Sequence, residues 1–243
     1  MEQRQAQAQP ASGDSDVQRA SIAQQAPDAQ GQRNVERQTP EADAQRVLAD
    51  QQAIEQEAKA LVDRVMADPA TEDDIALVTK QLGRFPRGMV AVGARCVCGR
   101  PLAVITRPQL PDGTPFPTTC YLTSPEAVKA ASHVEADGSM QHYTDLVQHD
   151  EAIHERYERA HQLYLVFRHE LAVRLGDSEE HIAGTSAGGM PVRVKCLHAL
   201  LAQTLVMGEG ANPIGDIVME RIAADFDPKV CRCTTTLDEP AGK

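Results

Sequence analysis

Residues 89–123 read MVAVGARCVCGRPLAVITRPQLPDGTPFPTTCYLT. Three runs within this stretch, Met89–Cys96, Leu102–Leu110 and Pro117–Thr123, are short and partly β-branched. Cys98-Gly-Arg-Pro101 and Pro111-Asp-Gly-Thr-Pro115 separate them with residues that favour turns. The spacing predicts a three-stranded antiparallel meander. Strand alternation places Val90, Val92, Ala94 and Cys96 on one face, with Met89 and Arg95 on the other.

Helical patterns flank the meander on both sides. Upstream, Thr71-Glu-Asp-Asp74 is a capping-box variant; Ile75, Leu77, Val78 and Leu82 supply a buried side, and Gly83 stops the helix. Earlier still, Val47, Ile54, Ala58, Leu61 and Val65 form one apolar stripe on a helix over residues 41–69. Such a helix packs on the domain or pairs with a partner helix. Residues 1–40 hold ten Gln and seven Ala, too little apolar surface to offset ordering entropy, so a disordered tail is expected there.

Downstream, Ser124-Pro125-Glu126 starts a helix, with Ser as N-cap and Pro at the first helical position. Further helices are expected over Met140–Gln148, Asp150–Leu175, Pro191–Met207 and Asp216–Ala224, with Gly184–Gly189 as a loop. The expected fold is α+β: a small antiparallel sheet covered by helices over residues 71–227, followed by a flexible tail over 228–243.

Aromatic residues make up only 3% and Trp is absent, so the core must be aliphatic. A net charge of −11 argues against non-specific binding to nucleic acid or an anionic membrane. The opening MEQRQAQAQP has no apolar run, and no later run approaches the roughly 18 residues of a membrane helix. A cytoplasmic protein without membrane contact is expected, its six cysteines reduced or bound to metal.

Cys96, Cys98, Cys120, Cys196 and His198 offer soft donors for a four-coordinate ion such as zinc. Two other readings stand beside this one. Cys96 and Cys196 can be small buried hydrophobes, or Cys196 can be a reactive thiol influenced by Arg193, Lys195 and His198. Residues two apart on a helix point about 200° away from each other, so Cys196 and His198 share an ion only if the helix starts after Lys195. Cys231 and Cys233, beyond the last helix, read as incidental. The other seven histidines, His133 to His181, read as solvated.

Between Arg84 and Pro111 stand Arg84, Arg87, Arg95, Arg100 and Arg107, with no acid among them. This local reversal of sign suits phosphate or carboxylate, and Arg193 and Lys195 can extend it. The alternative is pairing with helix acids such as Glu151, Glu155, Glu158 and Glu170.

Several strings carry a family resemblance: Phe85-Pro-Arg-Gly88, Arg95-Cys96, Leu110-Pro-Asp-Gly-Thr-Pro-Phe-Pro-Thr118, Tyr121-Leu-Thr123, Gly189-Met-Pro-Val-Arg-Val-Lys-Cys-Leu-His198 and Asn212-Pro-Ile-Gly-Asp216. Over about residues 72–225 the chain resembles the actinobacterial family known as domain of unknown function 501. The resemblance implies no reaction. The family's genes often neighbour those of a septum-formation coiled-coil protein and an exopolyphosphatase. Relatives commonly carry Cys or His where this chain has Ser124, so Cys98 or Cys120 is expected to supply the missing ligand.

Three functions are in view. The first is a binding or regulatory domain that recognises a phosphate-rich anion or partner. The second is a metal- or thiol-dependent hydrolase or transferase on a phosphorylated substrate, for which Asp112, Arg193, Lys195, His198, Asn212 and Asp216 should line one pocket. The third is an interaction protein acting through the helix at 41–68, linked to cell division by the gene context that the resemblance implies.

Overall fold

The computed structural model describes residues 40–233. The expected disordered tail, but for Pro40, and the end of the expected C-terminal tail, 234–243, lie outside the described residues. In chain order the elements are α1 (Pro40–Met66), α2 (Glu72–Leu82), β1 (Met89–Arg95), β2 (Pro101–Thr106), β3 (Cys120–Leu122), α3 (Pro125–Ala136), α4 (Ser139–His149), α5 (Glu151–Leu175), α6 (Leu197–Met207) and α7 (Pro213–Arg221). Among the described residues no helix is long and apolar enough to cross a membrane.

The fold is α+β, with one antiparallel sheet in the order β1-β2-β3. Val92 pairs with Val104, and Val104 with Tyr121. The strands are shorter than the apolar runs because Pro108 and Pro111 lack ladder donors and the Leu110 N–H turns to Thr114 O at 2.9 Å. All six positions of β2 are buried, which only a central strand covered on both faces can show. The simple alternation expected for β1 fails: irregularities between Met89 and Ala91, Val92 and Ala94, and Ala94 and Arg95 leave consecutive residues Ala91 and Val92 both buried.

α6 packs against all three strands and lies at the centre of the helical layer. Apolar on almost every side, it buries Leu197, Leu200, Leu201 and Val206. α7 crosses it closely at Gly215, where an added Cβ would stand 2.6 Å from the Leu200 carbonyl oxygen. α1 packs along α5 and reaches β1, burying Ala58, Leu61, Val62 and Val65, while Val47 at its start stays exposed.

Two helix starts differ from expectation. α6 begins at Leu197 rather than Pro191, because Gly188 O takes the N–H groups of Lys195 (2.7 Å) and Cys196 (3.3 Å) into a folded loop. Gly188 is required there: its φ is +70°, and a Cβ would meet Leu200 Cδ2 at 2.4 Å. α7 begins at Pro213, three residues before Asp216, since the Asn212 side chain accepts from the Ile214 and Gly215 N–H groups.

Candidate metal centre

β1 ends at Arg95, and Cys96 opens a tight turn in which Gly99 N–H donates to Cys96 O (2.8 Å) and Cys96 N–H to Arg100 O (2.9 Å). Gly99, at φ +86°, lets the chain reverse with Cys98 at the turn. Far along the chain, the segment after α7 folds back towards this turn. Phe226 anchors it in the core, and the Arg100 guanidinium holds Cys233 O at 2.8 Å.

The result is a cluster of four sulfurs, from Cys96, Cys98, Cys231 and Cys233, all within 4.8 Å of one another. Cys96 and Cys233 are buried, while Cys98 and Cys231 are exposed. All four are free thiols. The backbone N–H of Arg100 is the main cause that holds the Cys98 thiol down to about 7. Burial pushes Cys96 and Cys233 up. Sulfurs bound tetrahedrally at about 2.3 Å stand about 3.8 Å apart, so a contraction of at most about 1 Å would close this cluster on one ion. Four soft donors in that arrangement fit zinc.

The five donors expected to act together are distributed over three places. Cys96 and Cys98 belong to the cluster just described. Cys120 lies opposite Ile105, four residues along β2 from Pro101, which pairs beside Cys96. That spacing amounts to about 13 Å of strand. Fully buried there, its thiol is pushed up by desolvation alone. Cys231 and Cys233, which sequence reasoning set aside, complete the group instead, and Cys233 is only 4% exposed rather than frayed. One signal was available: Cys96-Val-Cys98 and Cys231-Arg-Cys233 repeat the same spacing.

Cys196 and His198 form a separate group with Glu135 of α3. The helix does start after Lys195, which is the condition for the two to face one another. Cys196 is extended (φ −151°, ψ 109°), with its Sγ 3.9 Å from His198 Nδ1. Glu135 Oε1 lies 3.1 Å from the same nitrogen and accepts the Leu197 N–H at 2.6 Å. The neighbouring Cys196 thiol, with Glu135 behind it, raises His198 to about 9 against the opposing effect of burial.

Each arginine of the strip between 84 and 111 has a partner. Arg95 holds Asp68 (Nε 2.7 Å, Nη2 2.8 Å) and Asp74 (Nη1 2.8 Å, Nη2 3.0 Å). Arg107 holds Asp177 at 2.5 Å, and Arg87 pairs with Asp112. Arg100 holds Cys233 O, and Arg84 bonds Tyr121 Oη at 2.8 Å while lying over its ring. The acids come from loops and helix ends rather than from the expected glutamates of α5.

Arg193 and Lys195 are placed differently. Among the described residues they are the only charged ones lining a cleft of about 1150 Å³, whose wall includes the 184–190 loop, Thr144 and Gln148 of α4, and Cys196. Arg168 braces that loop from the core, donating to Ile182 O (2.8 Å) and Thr185 O. His161, expected to be solvated, is buried instead and meets Ser186 Oγ at 2.9 Å. The six polar residues expected in one pocket are scattered: Asp112 pairs with Arg87, buried Asn212 caps α7, and Asp216 meets Arg156 and Thr204.

No curated protein and no solved structure matches the chain. The family model that does match reaches Cys96, Cys98, Cys196 and His198 and ends before Cys231. It is described as protein of unknown function (DUF501), it covers residues 92–220, more than half of the chain, and the chain belongs to that family.

Proposed function

We propose that the domain is a zinc-binding one in which Cys96, Cys98, Cys231 and Cys233 hold a single ion as thiolates. The observation that carries this reading is the meeting of two Cys-x-Cys pairs, 133 residues apart in sequence at Arg100 and Cys233, with all four sulfurs within 4.8 Å. Four thiolates complete the coordination of zinc and leave no position for water or substrate, the pattern of a structural ion. Its work is to fasten the chain segment after α7 to the β1–β2 turn. The recognition of a phosphate-rich anion draws no support from the arginine strip, whose members are paired; the cations that remain for it are Arg193 and Lys195 beside the cleft.

Metal analysis of the purified protein and of a Cys98→Ser/Cys231→Ser double variant tests this. Those two positions are exposed, so their replacement spares the core. The wild type should bind zinc and, loaded with cobalt(II), show the intense absorption of a tetrathiolate site. The double variant should lose that absorption and one ion per chain. Unchanged metal content in the variant, or disulfides joining these cysteines in the purified wild type, overturns the reading.

A further inference from the structure

The geometry points to a second metal site, formed by Glu135, Cys196 and His198, that takes a zinc-class divalent ion and leaves its coordination open. This inference does not rest on the four-cysteine centre, with which it shares no residue.

His198 Nε2 lies 3.2 Å from Val128 O. A carbonyl oxygen only accepts, so Nε2 carries a hydrogen, and when the ring is neutral Nδ1 is the nitrogen with the lone pair, turned to the other side. There it faces Glu135 Oε1 at 3.1 Å and Cys196 Sγ at 3.9 Å. These three donor atoms turn towards one point, which a metal ion or a proton can occupy. For a tetrahedral zinc ion, bonds of about 2.0–2.3 Å place nitrogen and sulfur about 3.6 Å apart, and nitrogen and oxygen about 3.4 Å apart. The observed separations lie within a few tenths of an ångström of both.

The surroundings match as well. A ring N–H given to a backbone carbonyl is the usual support of a ligating histidine, since it fixes tautomer and orientation. The Leu197 N–H at 2.6 Å orients the Glu135 carboxylate in the same way. Mixed sulfur, nitrogen and oxygen donors suit zinc better than magnesium or calcium, which take oxygen alone. Among the described residues the group has three donors, so a fourth position falls to water or to a ligand. Cys196 lines the cleft whose charged residues are Arg193 and Lys195, so the ligand class is a small anion such as phosphate or carboxylate.

The competing arrangement is a proton in place of the metal, giving a thiolate–imidazolium pair capped by Glu135. Metal loading separates the two. Protein saturated with zinc and freed of excess should carry two ions per chain. Cys196→Ser and the isosteric Glu135→Gln should each lower that number towards one and leave the cobalt tetrathiolate absorption in place. The Cys98→Ser/Cys231→Ser variant should keep an ion here, with the weaker absorption of a single cobalt–thiolate bond. A metal content that neither Cys196→Ser nor Glu135→Gln lowers overturns the inference. So does cobalt-loaded Cys98→Ser/Cys231→Ser protein that is folded by circular dichroism and shows no thiolate band. Loss of the tetrathiolate signal alone counts against the four-cysteine centre and not against this one.

Discussion

Asp74 does two jobs with one carboxylate. It closes the capping box of α2, where Thr71 Oγ1 accepts the Asp74 N–H at 3.1 Å and Asp74 Oδ2 accepts the Thr71 N–H at 3.2 Å. It also receives the guanidinium of Arg95, the chief cause that holds its carboxyl down to about 2. Asp74 is 8% exposed, so solvent screens the pair little. A folded-state value below the ordinary 3.8 means stability that is present above about pH 4 and lost as pH falls through about 2. Asp74→Asn should therefore cost up to about 2 kcal/mol near neutral pH, and the gap to wild type should narrow between about pH 4 and pH 2. Urea denaturation of both proteins across that range is the check; a gap that stays constant with pH removes the charge argument.

Among the elements, α6 and α7 set the tightest contact. Gly215 lies within α7, and a Cβ there would meet Thr204 Oγ1 at 2.2 Å and the Leu200 carbonyl oxygen at 2.6 Å. The hydroxyl can rotate away, but the carbonyl belongs to the backbone of the helix that fills the core. Gly215→Ala gains helix propensity of about 1 kcal/mol, and forcing the two helices apart costs more. A net loss of about 1–3 kcal/mol is expected, read as a fall of several degrees in Tm. An unchanged or higher Tm would mean that α7 shifts freely over α6. The contact matters beyond stability, because the same α6 carries His198 in its first turn and α7 leads into the segment that ends at Cys231 and Cys233.

At the scale of the molecule, the proposed four-thiolate ion joins the first strand to the end of the described chain. Among the described residues the last segment is also tied by Phe226 in the core, by Arg100 on Cys233 O, and by Arg232 on the carbonyls of Ala224 (2.6 Å) and Asp225 (3.0 Å). Lys229 and Arg232 are exposed. Chelation should therefore lower Tm and raise tryptic cleavage after these two residues several-fold, while α5 and α6 stay protected by the core. Equal cleavage and equal Tm with and without chelator would show that no ion fastens this segment.

Local chemistry was legible in the sequence. The Thr71–Asp74 box, the Ser124-Pro125 helix start and the turns at 98–101 and 111–115 depend on neighbours within a few residues, and each stands where its residues placed it. The three-stranded antiparallel sheet followed from the same turns. Longer-range choices were not legible. The β1 irregularities that bury Ala91 and Val92 together depend on pairing with β2, and the start of α6 depends on Gly188 O meeting Lys195 N–H seven residues on. The candidate site shows the divide most sharply. Cys96 and Cys98 could be named as candidate donors from their turn, and Cys196 with His198 from theirs. Which sulfurs face Cys96 was decided only when Phe226 and Arg100 held the segment after α7 against the β1–β2 turn, because burial and charge act between residues that packing, not sequence distance, makes neighbours.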